Sequence, residues 1–224
     1  MKIQKSKISD KTINCLGDST TWGDNGLETG GNEISWTKHI QEQLPFKEVR
    51  NYGIRASRIA MTSDRNDSFL ERYKQMNDNA DIITVLGGIN DFQHNVPIGT
   101  LTVADPTTFS GALNILIHGL VEKYPYQTIV FMTPMKNNFH HPTKKYPTTL
   151  QQNGLGNYQK QYAQAIEDSC HFYSIPVIDL FNESGISPFL PEYVPKYMPD
   201  GMHYSDLGYE RLGKMIAGEL SQFI

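Results

Sequence analysis

Cysteine is scarce in this chain of 224 residues: only Cys15 and Cys170 occur. They are far apart and outside any Cys-x-x-Cys or Cys/His spacing, which argues against a disulfide scaffold or a zinc ribbon. Both are expected to be reduced, buried small hydrophobes. A basic excess is missing too, because 20 Lys+Arg stand against 24 Asp+Glu for a net charge of −4. Nothing in that balance would release counterions from a phosphate backbone, so nucleic acid is not an expected partner. No apolar run approaches the ~18 residues that cross a bilayer. Residues 1–7 carry Lys2, Lys5 and Lys7 with no hydrophobic stretch behind them, unlike a secretory signal. The expected compartment is therefore cytoplasmic, or extracellular if a leader has been removed. Neither a G-x-G-x-x-G nor a phosphate-loop Lys occurs, and the glycine-rich residues 26–31 hold Glu28 instead of Lys, which suits a mobile loop better than a nucleotide cradle. Repeats, charge blocks and a Pro/Gly/Ser-rich linker are lacking as well, so one domain over 1–224 is expected.

What the chain does have is ordinary globular content, 38% hydrophobic and 11% aromatic, arranged as short apolar or β-branched runs separated by stretches of helical period. Five runs read as strands: residues 12–16, 48–52, 82–86, 128–133 and 176–180. The clearest helix aligns Phe109, Leu113, Leu116, Ile117, Leu120, Val121 and Tyr124 on one stripe. Others fit Trp36, Ile40 and Leu44; Tyr158, Tyr162, Ile166 and Phe172; Leu207, Leu212, Met215, Ile216 and Phe223; and a shorter one fits residues 69–73. This alternation predicts a doubly wound α/β domain with a five-stranded parallel sheet. Two connections, 136–157 and 181–202, exceed the usual length in such folds and are expected to be functional.

In an open parallel sheet the ligand crevice lies beyond the carboxyl ends of the strands, so the residues that follow each strand carry the functional information. They are Gly17-Asp18-Ser19-Thr20, Asn51-Tyr52-Gly53 and Gly87-Gly88-Ile89-Asn90-Asp91, with Asp200-Gly201-Met202-His203 standing before the last helix. Singly, each also reads as turn chemistry: an N-cap at Asp18 or Ser19, a positive φ at Gly53, an Asx turn at Asn90-Asp91, an Asp-Gly turn. Together they supply a complete inventory. A serine hydroxyl is a weak nucleophile until a base takes its proton, and the base needs a carboxylate to hold its tautomer. Ser19, His203 and Asp200 are one of each. An oxyanion needs donors fixed in advance, and the backbone N–H groups of Ser19 and Gly53 with the Asn90 side chain would provide three.

In these blocks the sequence resembles the SGNH, or GDSL, hydrolases over nearly the whole chain. Gly17-Asp18-Ser19-Thr20 is similar to the nucleophile block, Gly53 to the second-block glycine, Gly88-Ile89-Asn90-Asp91 to the third, and Asp200-Gly201-Met202-His203, followed by Ser205, Gly208 and Tyr209, to the last. The resemblance implies a flavodoxin-like three-layer α/β/α sandwich that hydrolyses acyl esters through an acyl-enzyme, with no metal or organic cofactor. It implies Ser19 as nucleophile, His203 as general base and then acid, Asp200 as its orienter, and Gly53 and Asn90 as oxyanion donors. Two departures stand out. Thr20 occupies a position where the family often has Leu, and Gly53-Ile54-Arg55-Ala56-Ser57 has Arg55 and Ala56 where the family often has Ser and Gly.

The remaining candidates have two readings each. Arg55 is either a contact for an anionic or sugar-like substrate or a solvated surface residue. His140 and His141 lack the carboxylates or cysteines that would make a zinc site; His39, His118 and His171 fall on helices and read as structural, whereas His94 follows Asn90 closely enough to touch substrate. Asp91 and Asp18 are read as supports for the turns that hold Asn90 and Ser19. Trp22, Phe92, Phe139, Tyr146, Phe189, Tyr193 and Tyr197 either line the crevice or pin the loops. The loops are rich in Asn, Lys, Gln and Thr and offer no broad apolar surface for a lipid interface. A short acyl ester of a polar alcohol, with O-acetylated carbohydrate foremost, is the expected substrate. The alternatives are an acyltransferase using the same triad, or a non-catalytic carbohydrate-binding module on the same fold.

Overall fold

A computed structural model describes residues 8–27, 29–141 and 143–224. Lys2, Lys5, Lys7 and Glu28 lie outside the described residues. Five strands, β1 (Thr12–Gly17), β2 (Glu48–Gly53), β3 (Ile82–Leu86), β4 (Thr128–Met132) and β5 (Val177–Ile178), form one sheet in the order β2-β1-β3-β4-β5. Every neighbouring pair is parallel. The helices between them are α1 (Ser19–Trp22), α2 (Trp36–Gln43), α3 (Phe69–Arg72), α4 (Ile89–Gln93), α5 (Phe109–Lys123), α6 (Gln159–Phe172), α7 (Leu180–Glu183), α8 (Val194–Tyr197) and α9 (Asp206–Leu220).

The strand period of two distributes side chains to both faces and builds three layers. On one face Leu16, Ile83, Val85, Ile129 and Phe131 pack against Phe109, Leu113, Leu116 and Leu120 of α5 and Tyr162 and Ile166 of α6. On the other, Ile13, Cys15, Ile82, Leu86, Val130 and Met132 meet Trp36 and Ile40 of α2 and Tyr209, Leu212 and Ile216 of α9. Cys15 and Cys170 are buried and free, and burial pushes both thiols up to about 12. The edge strand β2 is only half-covered and carries Glu48 and Arg50, charges that discourage pairing with another sheet edge.

The expected architecture is observed, with local corrections. The last strand is shorter than residues 176–180, because Asp179 turns the chain: its carboxylate accepts from Asn182 N–H at 3.1 Å and caps α7, so Leu180 is already helical. Val121, Tyr158, Phe172 and Leu207 are exposed; a buried stripe is little wider than 100° and these positions fall beyond its edges. The short helices α1 and α4 carry no periodicity of their own. Segment 181–202 contains α7 and α8. Among the described residues no helix is long and apolar enough to cross a membrane.

The chain runs from β1 outward to β2 and then back past β1 to β3. The crevice at the carboxyl end of the sheet therefore opens where β1 and β3 diverge.

Candidate functional site

β1 delivers Ser19 at the start of α1. Asp18 caps that helix, accepting from Thr20 N–H at 3.0 Å, and leaves Ser19 95% buried at the foot of a cleft. Burial pushes the Asp18 carboxyl up to about 7, against the Thr20 N–H and the nearby His203 and Arg72, which hold it down.

The opposite wall comes from the loop before α9. Ser205 caps α9 by accepting from Gly208 N–H at 3.1 Å, and Gly201, at φ 82°, has its carbonyl bound by Asn138 N–H at 2.8 Å. A Cβ on Gly201 would lie 2.3 Å from the Asn138 carbonyl oxygen, so only glycine lets the two loops approach. The loop aims Asp200 at His203 from both sides. Asp200 Oδ1 accepts from Met202 N–H at 2.9 Å and His203 N–H at 2.7 Å, while Oδ2 lies 2.6 Å from His203 Nδ1. His203 Nε2 then lies 3.3 Å from Ser19 Oγ. With the Nδ1 proton on the carboxylate side, the lone pair of Nε2 faces the hydroxyl. Burial alone would lower the His203 pKa, but the Asp200 carboxylate outweighs it and the pKa is raised. Asp200 is held below the usual carboxylate range: burial works against its charge, and the imidazole and backbone donors prevail.

Asn90 sits on α4, which follows β3. Its Nδ2 donates to the Ser57 carbonyl at 3.1 Å and approaches Asp18 Oδ2 at 3.4 Å, at the edge of the same cleft. Asp91 is tied elsewhere: its two carboxylate oxygens accept from Ile59 and Ala60 N–H, both at 3.0 Å, which fastens α4 to the loop after β2. Arg72, reaching in from α3, donates to the carbonyls of Gly17 at 2.9 Å and Tyr52 at 2.6 Å and to Ser57 Oγ at 2.8 Å. One buried guanidinium thus ties the ends of β1 and β2 to the loop beside the serine.

Gly53 requires a correction. Its N–H donates to Asn51 Oδ1 at 2.8 Å and it does not line the cleft. A Cβ there would fall 2.1 Å from Trp22 N, so the glycine is demanded by the close passage of α1 and not by an oxyanion. Arg55, Ala56 and Arg58 line the cleft from this loop, and Ala56 does so at φ 59°. Neither the Ala56 N–H nor the Ser19 N–H has an acceptor among the described residues. A left-handed backbone is costly for alanine and marks a position under functional or packing constraint. The available signal was that Ala56 stands where the resembling family often has glycine.

Asp24 was also missed. It is 96% buried, its Oδ2 lies 3.8 Å from His203 Nε2, and it accepts from Arg55 Nε at 2.6 Å. Nothing in the sequence distinguishes it from an ordinary turn aspartate. Arg55, whose guanidinium also lies 5.2 Å from the Trp22 ring centre, is thereby neither simply solvated nor displayed alone to a ligand. Arg58 forks onto Asp64 at 2.6 and 3.0 Å, and Arg65 Nε lies 2.8 Å from Asp67.

The cleft holds about 380 Å³, a size suited to a small ligand. The long segment 136–157 contributes Phe139, His141, Lys144 and Tyr146 to its wall. The Phe139 ring stands edge-on to His203 with centres 5.7 Å apart. Of the other aromatic candidates, Phe92 is in the core, while Phe189, Tyr193 and Tyr197 do not line the cleft. His39 and His118 face Glu42 and Tyr173. No group of three or more His, Cys, Asp or Glu able to hold a metal occurs among the described residues. The arrangement can deprotonate a serine hydroxyl beside two unpartnered backbone donors and a carboxamide.

Residues 15–211 match the family model described as GDSL-like lipase/acylhydrolase. A crystal structure 49% identical in sequence superposes with a TM-score of 0.93, over 97% of this chain and 99% of that one. A protein from Lactobacillus plantarum, 26% identical, gives a TM-score of 0.81 over 97% and 99%. The native aryl esterase of M. smegmatis, at 18% identity and a TM-score of 0.69 over 96% and 100%, shares the fold. No curated protein matches the sequence.

Proposed function

Since the chain belongs to the GDSL-like lipase/acylhydrolase family and is a carboxylic ester hydrolase, we propose that it cleaves short acyl esters of polar alcohols, O-acetylated carbohydrate foremost, with Ser19, His203 and Asp200 as a catalytic triad. The observation that carries this reading is the continuous chain from Asp200 through His203 to Ser19, with contacts of 2.6 and 3.3 Å. Ser19 Oγ attacks the ester carbonyl while His203 Nε2 takes its proton, and Asp200 stabilises the imidazolium that results. The tetrahedral oxyanion is met by the N–H groups of Ser19 and Ala56, which give up no acceptor as charge develops, and by the Asn90 carboxamide, which turns one N–H from its long contact with Asp18 Oδ2. Collapse expels the alcohol, to which His203 returns the proton. Water then attacks the acyl-enzyme by the same route in reverse order of roles and frees the carboxylic acid and Ser19. No cofactor is needed for any of these transfers.

Charged and amide side chains in the cleft support a short acyl group and a polar alcohol. Arg55, Arg58, Arg65, Lys144, Gln93 and Asp24 make the lining more polar than apolar, which favours a short chain over a long one. The test is hydrolysis of p-nitrophenyl acetate, butyrate and octanoate by wild type and Ser19→Ala at neutral pH. Acetate should be cleaved best, and the substitution should lower kcat by about 10⁴-fold or more. Equal turnover by the two proteins sinks the assignment.

A further inference from the structure

One carboxamide of the cleft has little protein to bond it. Gln93, the last residue of α4, is 6% exposed. Its carboxamide nevertheless makes one contact with protein, Nε2 to the Met202 thioether at 3.6 Å, and a thioether is a weak acceptor. The Gln93 side-chain oxygen has no partner among the described residues. The oxygen is open to the cleft, where a ligand group can take the place of water on it.

His94 offers complementary chemistry one residue on. Its Nδ1 lies 2.9 Å from the Asn90 carbonyl oxygen. A carbonyl can only accept, so Nδ1 carries the proton, and Nε2 of the neutral ring is an acceptor on the cleft side. Burial first, and then the neighbouring Arg58, lower the His94 pKa and keep the ring neutral; Asp64 and Arg65 are the other charges that face it. Asn90, Gln93 and His94 stand at i, i+3 and i+4 and therefore share one face of the chain. The Tyr146 ring, its centre 5.6 Å from that of His94 and 5.8 Å from that of Phe139, forms an adjoining apolar wall.

We propose that Gln93 and His94 form a hydroxyl-reading subsite for the alcohol half of the ester, selecting a polyol or sugar that carries a free hydroxyl beside the acylated oxygen. This rests on the esterase reading and narrows its substrate class. An acceptor nitrogen requires a donor from the ligand, which a carboxylate or phosphate does not supply and a hydroxyl does. The same hydroxyl accepts from the Gln93 Nε2, a second hydroxyl of the polyol donates to the Gln93 oxygen, and the C–H face of a sugar ring lies against Tyr146. Anion binding is the weaker alternative for this cleft, because Arg55, Arg58 and Arg65 each face a carboxylate of the chain, Asp24, Asp64 and Asp67.

The experiment compares kcat/KM for a monoacetylated methyl glucoside with that for the same ester whose neighbouring hydroxyls are O-methylated. Wild type should prefer the free hydroxyl by about tenfold or more, since a site built to bond a hydroxyl rejects an analogue that lacks it. In Gln93→Met and His94→Phe the preference should collapse to about onefold. Equal rates on the two esters in wild type overturn the subsite while leaving the esterase reading standing, and that comparison needs no variant to fold. Variants that fold and keep the wild-type preference also overturn it. Inactivity of wild type on every ester, p-nitrophenyl acetate included, overturns both readings together.

Discussion

Replacing Asn90 by Ala separates transition-state stabilisation from structure, because both effects can be sized in advance. The side-chain amide would be one of three oxyanion donors, and losing such a donor costs about 10²- to 10³-fold in kcat, roughly 2.7–4 kcal/mol. The ground-state carbonyl gains little from it, so KM should move by no more than about threefold. The amide also donates to the buried Ser57 carbonyl at 3.1 Å. Leaving that oxygen unsatisfied costs about 1–3 kcal/mol, which in a chain of this length lowers Tm by about 2–4 °C for each kcal/mol. The assay is steady-state hydrolysis of p-nitrophenyl acetate at 20 °C, with a thermal melt monitored by circular dichroism on the same preparation. A variant that is folded at the assay temperature and loses less than about tenfold in kcat refutes Asn90 as a donor. A fall in Tm without a fall in kcat would assign it to structure alone.

With His203 as the proposed base, the acid limb of kcat/KM reports its loss of a proton, since the ring must be neutral to take the Ser19 proton. Its pKa is raised by Asp200 and further by Asp24, so activity should be lost at a pH above the ~6.5 of an ordinary histidine. Asp24→Asn removes a carboxylate 3.8 Å from Nε2 and should move that limb to lower pH; an upward shift contradicts the geometry. Gly53→Ala places a methyl 2.1 Å from Trp22 N and 2.5 Å from Trp22 Cα, main-chain atoms that no rotamer change relieves. It should cost at least about 1–3 kcal/mol, and an unchanged Tm would show that the α1 contact is looser than described.

Local chemistry and period made much of this protein readable. Strand runs buried on both faces are continuous and apolar, so residues 82–86 and 128–132 stand out without tertiary knowledge. Turn residues announce the ends of strands, and the segment from Asp200 to His203 is short enough for the carboxylate to reach the imidazole within one turn. The stripes of α5 and α9 were legible at their centres and misread at their edges, where Val121 and Leu207 are exposed; burial there depends on the width of the neighbouring layer.

The loop after β2 behaved differently. Gly53 and Ala56 are three residues apart, and which N–H opens on the cleft depends on a backbone φ of 59° at Ala56 and on Asn51 taking the Gly53 N–H. Neither follows from residue type, since both are set by how the loop is clamped by Arg72 and Asp91. Asp24 reaches His203 for the same kind of reason: it belongs to the turn after α1 and His203 to a loop far along the chain. The sequence by itself determined the parallel α/β architecture and singled out Ser19, Asp200, His203 and Asn90 as candidates, because each is announced by local pattern. Only the tertiary structure decided which residues of the loop after β2 line the cleft, which charges neutralise one another around it, and that Gln93 turns its amide to the cleft, because those depend on contacts between segments distant in the chain.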